Sequence, residues 1–439
     1  MDDESFVGFR SVVGYQKPEV EYHYVQDAES LHHFLQSDAV VSGLHISGDS
    51  FFNLNANQME SLGRAVGNSD HLRELQILGE LGPDEIALEP FFTWIAHNRS
   101  IEIFRLYQVA DQYNFTILAP FFEHNRNLRC IELNSNVSKC IPTIISALSR
   151  SNILRLARID LIGGVIGDKN AAELINTLNA MPGLPSLLDL WLAENKISTR
   201  GCVALRALLK NPECNIISLD LSSNPFDDEC IGILIDGFIE RGTLKSLGLG
   251  YLENSLTVAG WKIFSNYLSG SKCKLEKILL DRADVADDST SALGGALAMN
   301  GTLKCLDFSD NNITPTGWRG ISNCLAPTST ISELNLGIDT NINDEVALIF
   351  FSALANNTAL KKLLLVNDHI TSAGWVSCFR QLIDSRSALV DIEFGWQIDD
   401  GGVAVLTTLV AGHMNTVSSI NLEGNSRISS SGYSSQLYL

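Results

Sequence analysis

Charged side chains recur along one stretch of this sequence at intervals close to 29 residues. Arg105, Glu132, Asp160 and Asp220 follow one another in this way, and Trp191 takes the place between the last two. A row of carboxylates would attract basic ligands, because a surface with one sign of charge concentrates the opposite sign. A tryptophan among them would add apolar contact area, as aromatic anchors do at protein interfaces. The spacing therefore indicates binding chemistry at a repeated position.

Motifs for catalysis are absent. The sequence has no His-Glu-x-x-His, Gly-x-Ser-x-Gly or Cys-x-x-Cys motif and no glycine-rich phosphate loop. The nine histidines are dispersed, and the one adjacent pair, His32-His33, would diverge on a helix. We predict no enzyme activity, no metal site and no cofactor. An enzyme assembled from side chains of separate repeats is the alternative.

The recurring side chains hold the fifth place of a six-residue phrase with apolar residues at places one, four and six. Clear copies are Leu187-x-x-Leu190-x-Leu192 and Leu244-x-x-Leu247-x-Leu249. Fourteen copies begin at residues 41, 72, 101, 128, 156, 187, 216, 244, 275, 303, 331, 360, 389 and 417. Because strand side chains alternate between faces, places four and six point to one side and place five to the other.

Each phrase is followed by material for one helix, as in the run Gly201, Leu205, Leu208 and Leu209 before Asn211. One repeat cannot bury its own apolar face, so stacking is required. The sequence predicts an α/β solenoid of about 14 repeats of about 29 residues, with parallel strands on the concave face and helices on the convex face. We assign residues 1–40 to an N-terminal cap that precedes the first strand, and residues 41–439 to the repeat domain.

Two repeat types alternate in the second half of the chain. Gly-Trp pairs at 260, 317 and 374 are 57 residues apart, and the intervening repeats carry acidic or amide doublets that begin at 227, 287, 343 and 399. The doublets are predicted to cap helices, since calcium would need six or more converging oxygens. The tryptophans are predicted to pack between helices on the outer side. Asparagines eight places after five of the phrase starts, such as Asn195 and Asn311, are predicted to be buried and to satisfy backbone groups.

The chain carries 31 basic and 51 acidic side chains, a net charge of −20. This excess disfavours nucleic acid and anionic membranes and favours a basic protein partner, although it could serve solubility alone. Nine cysteines without paired spacing are predicted to be reduced core residues, and no secretory signal or transmembrane run is found. These features predict a cytoplasmic location.

Phrases such as Leu190-Trp191-Leu192-Ala193-Glu194-Asn195 resemble ribonuclease-inhibitor-type leucine-rich repeats. This subfamily is shared with the repeats of NOD-like receptors and with Ran GTPase-activating protein. The resemblance implies a curved protein-binding scaffold. The low cysteine content argues against ribonuclease inhibitor itself, and the missing phosphate loop argues against a whole NOD-like receptor.

We expect a non-catalytic intracellular scaffold whose acidic concave surface binds a basic protein partner. Regulation of a small GTPase, as by Ran GTPase-activating protein, is the alternative. The predicted partner-binding residues are Arg105, Glu132, Asp160, Asp189, Trp191, Asp220, Asp307 and Glu393. Trp191 is expected to face solvent as the central anchor, in a row that is otherwise a solvated acidic wall.

Overall fold

The computed structural model describes most of the chain. The residues described are 22–25, 30, 41–48, 54–79, 85–107, 116–134, 138–151, 155–252, 256–311, 313–337, 341–366, 369–383, 385–412 and 417–430. They fall into two compact units. The N-terminal unit runs to Pro225 and includes Asp236–Leu244, and the C-terminal unit comprises Phe226–Ile235 and the residues from Lys245 onward.

Within each unit the described strands are parallel and follow one another in chain order in the sheet. They are β1 Tyr22–Val25, β2 Gly43–Ser47, β3 Glu74–Leu78, β4 Ile103–Tyr107, β5 Cys130–Asn134, β6 Arg158–Asp160, β7 Asp189–Trp191, β8 Ser218–Asp220, β9 Ser246–Gly248, β10 Lys277–Leu279, β11 Cys305–Asp307, β12 Glu333–Gly337, β13 Lys362–Val366, β14 Asp391–Gly395 and β15 Ser419–Asn421. Strands β1 to β8 lie in the N-terminal unit and β9 to β15 in the C-terminal unit.

The thirteen described α-helices connect successive strands from β2 onward. They are α1 Ala56–Asn68, α2 Glu85–Ile95, α3 Ala119–His124, α4 Ile141–Arg150, α5 Gly167–Ala180, α6 Thr199–Lys210, α7 Asp228–Arg241, α8 Val258–Leu268, α9 Asp287–Met299, α10 Pro315–Ile321, α11 Asp344–Leu354, α12 Ser372–Leu382 and α13 Asp400–Gly412. One strand and one helix per repeat confirm the predicted leucine-rich-repeat solenoid.

Every predicted phrase contains one strand, from β2 in the first phrase to β15 in the last. The fourth and sixth side chains are buried, as Leu190 and Leu192 show at 0% exposure, except that Ile420 of the last phrase is half-buried. Helix α6 turns Leu205 and Leu208 into the same core. Alternation along the strand thus sends the third and fifth side chains to the opposite side of the sheet.

The prediction that no strand precedes residue 41 is wrong. Strand β1 pairs in parallel with β2, and its Tyr24 lies opposite His45. The segment Tyr-His-Tyr-Val offers one aliphatic residue in place of the three of the phrase, so the apolar pattern could not identify it. Val25 alone supplies a core contact, at 0% exposure. The rest of the proposed 1–40 cap, apart from Ser30, lies outside the described residues, as does the pair His32-His33.

Buried asparagines hold the turns after the strands, as predicted. Asn195 donates from Nδ2 to the carbonyls of Leu161 and Ala193, and Asn224 accepts from the backbone N–H of Ile197 at 2.8 Å. Asn311 donates to the carbonyl of Leu280 at 2.8 Å. Each amide therefore ties its turn to the preceding repeat. Asn136, Asp339 and Asp368, which hold the equivalent place in other repeats, lie outside the described residues.

All four doublets reach the next repeat, and three of them cap their own helix as predicted, through Asp227, Asn343 and Asp399. The doublet Asp287-Asp288 does not, because the N-cap of α9 is Ala286, which makes no side-chain cap. Asp227 accepts from the N–H of Cys230 at the start of α7, and the next residue, Asp228, accepts from the N–H of Thr257 at 2.9 Å. Thr257 is the N-cap of α8. The same carboxylate contacts recur between consecutive repeats at Asp287 and Thr314, Asp344 and Thr371, and Asp400 and Ser429.

The Gly-Trp pairs complete this arrangement. As predicted, Trp318 and Trp375 pack against a neighbouring helix, on Phe350 and Phe351 of α11, but they do so inside the core and not on the outer side. Trp261, Trp318 and Trp375 are at most 1% exposed, so each indole lies inside the core. The ring of Trp318 packs edge-on against Phe308 of β11, with 5.8 Å between ring centroids. The helix-start position alone does not tell which way the first turn faces, which is why spacing misplaced these side chains. All nine cysteines are buried and form no disulfide, as predicted.

Candidate partner-binding strand face

The strand face is formed by the third- and fifth-place side chains of the strands. In the N-terminal unit, register places Arg105 beside Glu132, Glu132 beside Asp160, Asp160 beside Trp191 and Trp191 beside Asp220. Adjacent strands are about 4.8 Å apart, so these fifth-place side chains are direct neighbours. The structure therefore brings together six of the eight predicted residues, counting Asp189 two places before Trp191.

Arg105 joins two buried carboxylates. Its guanidinium forms ion pairs with Glu74 on one side and Glu132 on the other, where Nη2 donates to Oε1 at 3.2 Å. Glu132 also accepts hydrogen bonds from the hydroxyl of Tyr107 and the thiol of Cys130. Burial would raise the pKa of Glu132, but the hydrogen bond and charge of Arg105 hold it below its ordinary value. Glu132 is thus ionised and already neutralised.

Arg158 continues this network along the third place. Its Nη2 pairs with Asp189 at 3.1 Å, and its Nη1 lies 3.9 Å from Glu132. The guanidinium carbon is 4.3 Å from the ring centroid of Trp191, in cation–π range. The indole Nε1 of Trp191 donates to Ser218 Oγ at 3.2 Å. Trp191 is therefore held on both sides and half-buried, in contrast to the solvent-facing tryptophan expected from sequence.

Asp160 and Asp220 hold the remaining negative charge of this region. Neither forms an ion pair within 4 Å of a basic side chain in the described part of the chain. Burial raises the pKa of Asp160 to about 7, with repulsion from Glu132 and Asp220 adding to the effect; the N–H of Ile162 and the charge of Arg158 oppose it. Asp220 is half-buried and accepts from the N–H of Ser222 at 3.0 Å.

In the C-terminal unit the acidic side chains of the strand face have different partners. Asp307 accepts from the hydroxyl of Ser309 at 2.7 Å and from the amide of Asn335 at 2.9 Å. Its pKa is raised, chiefly by burial, against the hydrogen bonds of Ser309 and Asn335. Glu393 is half-buried, and burial raises its pKa as well, with Lys362 opposing. Asp307 and Glu393 are three strands apart, and neither belongs to a buried ion-pair network.

The expected solvated wall is instead partly buried. Five of the eight predicted residues are at most 9% exposed: Arg105, Glu132, Asp160, Asp189 and Asp307. The other three, Trp191, Asp220 and Glu393, are half-buried. Sequence reasoning missed Tyr107, which closes the Glu132 site, and Tyr24, which is 52% exposed beside His45. The alternating tyrosines Tyr22 and Tyr24 in β1 were the sequence pattern that could have identified Tyr24.

Within the described ranges, no group of three or more His, Cys, Asp or Glu side chains could hold a metal ion. A search of the same residues finds no helix long and apolar enough to cross a membrane. No family model matches the chain.

Curated relatives match parts of the chain. Ribonuclease inhibitor of Sus scrofa is 26% identical over 226 residues, covering 50% of this chain and 48% of the relative. Protein CARMIL of Dictyostelium discoideum is 26% identical over 246 residues, covering 54% of this chain and 23% of the relative. NACHT, LRR and PYD domains-containing protein 14 of Mus musculus is 27% identical over 239 residues, covering 53% and 23%. The matched part is about half or less of each relative's length.

Solved structures also align with the chain. A chain of the yeast Rad7 and Elc1 complex aligns at 17% identity and a TM-score of 0.47, covering 79% of this chain and 81% of that one. An internalin of Listeria monocytogenes aligns at 15% identity and a TM-score of 0.41, covering 90% and 94%. The repeat phrase and the strand-and-helix unit give the chain a leucine-rich-repeat fold, and its sequence is similar to parts of ribonuclease inhibitor and of the other curated relatives.

Proposed function

We propose that the chain is a non-catalytic scaffold that binds a basic segment of a partner protein on the strand face of its N-terminal unit. Asp160, Trp191 and Asp220 form the centre of the proposed contact. The relatives support a protein-binding role, since ribonuclease inhibitor carries its protein target in its name. Nine buried thiols that form no disulfide support an intracellular, cytoplasmic setting.

The observation that carries the proposal is the incomplete neutralisation of this face. Strands β3 to β8 place five carboxylates on it, those of Glu74, Glu132, Asp160, Asp189 and Asp220. Two guanidinium groups, those of Arg105 and Arg158, oppose them. Burial is the main cause of the pKa of about 7 at Asp160, and the repulsion from Glu132 and Asp220 that adds to it is what an excess of carboxylates over guanidinium groups produces.

The proposed contact also has an apolar component. Trp191 is fixed by Arg158 and Ser218, so its ring is ordered before a partner arrives. A pre-ordered aromatic side chain loses little conformational entropy on binding, which improves affinity. The half-buried ring therefore supports an anchor role beside the carboxylates, although its exposed area is smaller than the sequence suggested.

The test is the association rate with a lysine- and arginine-rich peptide, measured by stopped-flow fluorescence at several salt concentrations. Asp220→Asn keeps the acceptor for Ser222 N–H but removes the charge. We expect it to slow association several-fold at low salt, with the effect shrinking as salt rises. Glu213→Gln changes net charge equally at an exposed position away from the strand face and serves as the control. Equal rates for the two variants would contradict the proposal.

Regulation of a small GTPase remains the alternative prediction. It is tested by measuring GTP hydrolysis by purified small GTPases with and without the chain. A clear acceleration would replace the scaffold proposal by the regulatory one.

A further inference from the structure

A second charged surface lies at the helix ends of the N-terminal unit, away from the strand face. A cavity of about 730 Å³ is lined by Arg99, Glu123, His124, Arg126, Asn127 and Arg150, which we term the basic pocket. Arg99 follows α2, His124 ends α3 and Arg150 ends α4, so three consecutive repeats contribute. Three guanidinium groups against one carboxylate make this pocket positive in a chain of net charge −20.

The three arginines differ in how they are neutralised. Arg150 donates from Nε to Glu123 at 2.9 Å, so one guanidinium has a carboxylate partner. Arg99 donates from Nη1 to the carbonyls of Ala96 and Asn98, which are neutral acceptors. Arg126 is exposed and has no hydrogen bond or ion pair with the residues the structure describes. Two of the three positive charges are therefore available to a ligand.

Backbone carbonyls at helix ends would normally repel an anion, because they carry partial negative charge. Side chains of the pocket already occupy several of them. The ring Nδ1 of His124 donates to the Pro120 carbonyl at 2.8 Å, and Asn127 Nδ2 donates to the Arg99 carbonyl at 2.6 Å. These contacts also fix the pocket residues in place. The groups left facing the cavity include the free donors of Arg126 and Arg99.

We propose that the basic pocket binds a phosphate monoester. Arginine presents several N–H donors in a planar fork that matches phosphate oxygens, and two such forks from adjacent repeats converge on one cavity. The cavity also has room for the group that carries the phosphate. That group is either a small organic phosphate or a phosphorylated serine of a bound protein, and both present the same dianion.

The test is isothermal titration of the full chain with O-phosphoserine, with a phosphoserine peptide and with the matched glutamate peptide. We expect saturable binding of both phosphate probes and at least tenfold weaker binding of the glutamate peptide. A phosphopeptide that binds much more tightly than O-phosphoserine would identify a protein as the source. Equal affinities would identify a small organic phosphate.

Arg126→Gln and Arg99→Gln should each weaken phosphate binding about tenfold, as the loss of one charge-assisted contact predicts. Arg241→Gln is the matched control, because Arg241 also ends a helix of this unit and donates to a backbone carbonyl, that of Pro212. Either of two results overturns the proposal. One is that sodium chloride, added at the same ionic strength as the phosphate probe, abolishes the heat signal. The other is that Arg241→Gln weakens binding as much as Arg126→Gln. Asp220→Asn should leave phosphate binding unchanged, which separates this site from the strand face.

Discussion

Buried carboxylates on the strand faces of the two units are stabilised by different kinds of partner. The N-terminal unit surrounds its carboxylates with arginines, so that Arg105 and Arg158 together contact Glu74, Glu132 and Asp189. The C-terminal unit gives Asp307 neutral donors, Ser309 and Asn335. An ion-pair network depends on every member, because a lost partner leaves a buried charge. A carboxylate with neutral donors tolerates loss of its charge more readily.

The largest predicted effect follows from this difference. Arg105→Met removes the cation shared by Glu74 and Glu132 and leaves two buried carboxylates without it. We expect a loss of about 3–5 kcal/mol in the free energy of unfolding, measured by urea titration. Adding Glu132→Gln to the same chain should recover part of that loss. A change under about 1 kcal/mol for Arg105→Met would show that the network does not stabilise the unit.

A smaller loss of stability is expected from replacing a glycine that packs closely against an aspartate, an arrangement that occurs in each unit. In the C-terminal unit a Cβ at Gly317 would lie 2.4 Å from Asp287 Oδ1, and one at Gly201 in the N-terminal unit would lie 3.0 Å from Asp168 Oδ1. The residue after Gly317 is Trp318, whereas the residue after Gly201 is Cys202, and both side chains are buried. Gly317→Ala should cost about 1–3 kcal/mol, since the Asp287 and Thr314 contact must shift.

The matched control is Gly295→Ala in α9, where an added Cβ meets nothing within 4 Å. It should stabilise the unit by about 0.4–1 kcal/mol, because alanine has less freedom in the unfolded chain. Thermal unfolding of both variants checks the pair. Equal effects of the two substitutions would contradict the close approach of Asp287 to Gly317.

The sequence predicted the strands better than the contacts between them. Alternation of apolar side chains located β2 to β15 because burial on one face enforces that pattern. It could not show that Arg158 turns towards Asp189 and Trp191, since third-place residues could equally extend into solvent. Cross-strand pairing depends on register and rotamers, which a single sequence does not specify. For the same reason Tyr107 was missed. Trp318 was placed outside the core for a different reason, since its position at the start of a helix does not tell which way the first turn faces.

The pH dependence of stability should separate two neighbouring carboxyls of the N-terminal unit. The pKa of Asp160 is about 7 in the folded chain against an ordinary value of 3.8, so the folded state binds more protons between those values. Its contribution to stability therefore falls as pH rises from about 4 to about 7. Glu132 has a lowered pKa, so its contribution is present above its ordinary value and is lost as pH falls through the folded one.

Asp160→Asn should flatten the stability profile between pH 4 and pH 7 and raise stability above pH 7. Urea midpoints measured across this range check the expectation. A profile unchanged by Asp160→Asn would mean that the carboxyl is ionised throughout and that this face is fully neutralised.

The smallest change in the free energy of unfolding is expected from a substitution on the strand face of the C-terminal unit. Asp307→Asn removes a buried charge but keeps an acceptor for Ser309 and can rearrange with Asn335. The free energy of unfolding should change by less than about 1 kcal/mol. A loss of stability as large as that of Arg105→Met would contradict the difference between the two strand faces.

The most direct test of the account is the affinity of a partner recovered by affinity pull-down and then titrated against purified variants. Asp220→Asn and Trp191→Phe change the N-terminal strand face with little loss of packing, and Glu393→Gln is the matched change on the C-terminal face. We predict that the first two each weaken binding at least fivefold, in a salt-dependent manner for Asp220→Asn, and that Glu393→Gln does not. Unchanged affinity for both N-terminal variants, or an equal loss with Glu393→Gln, would contradict it.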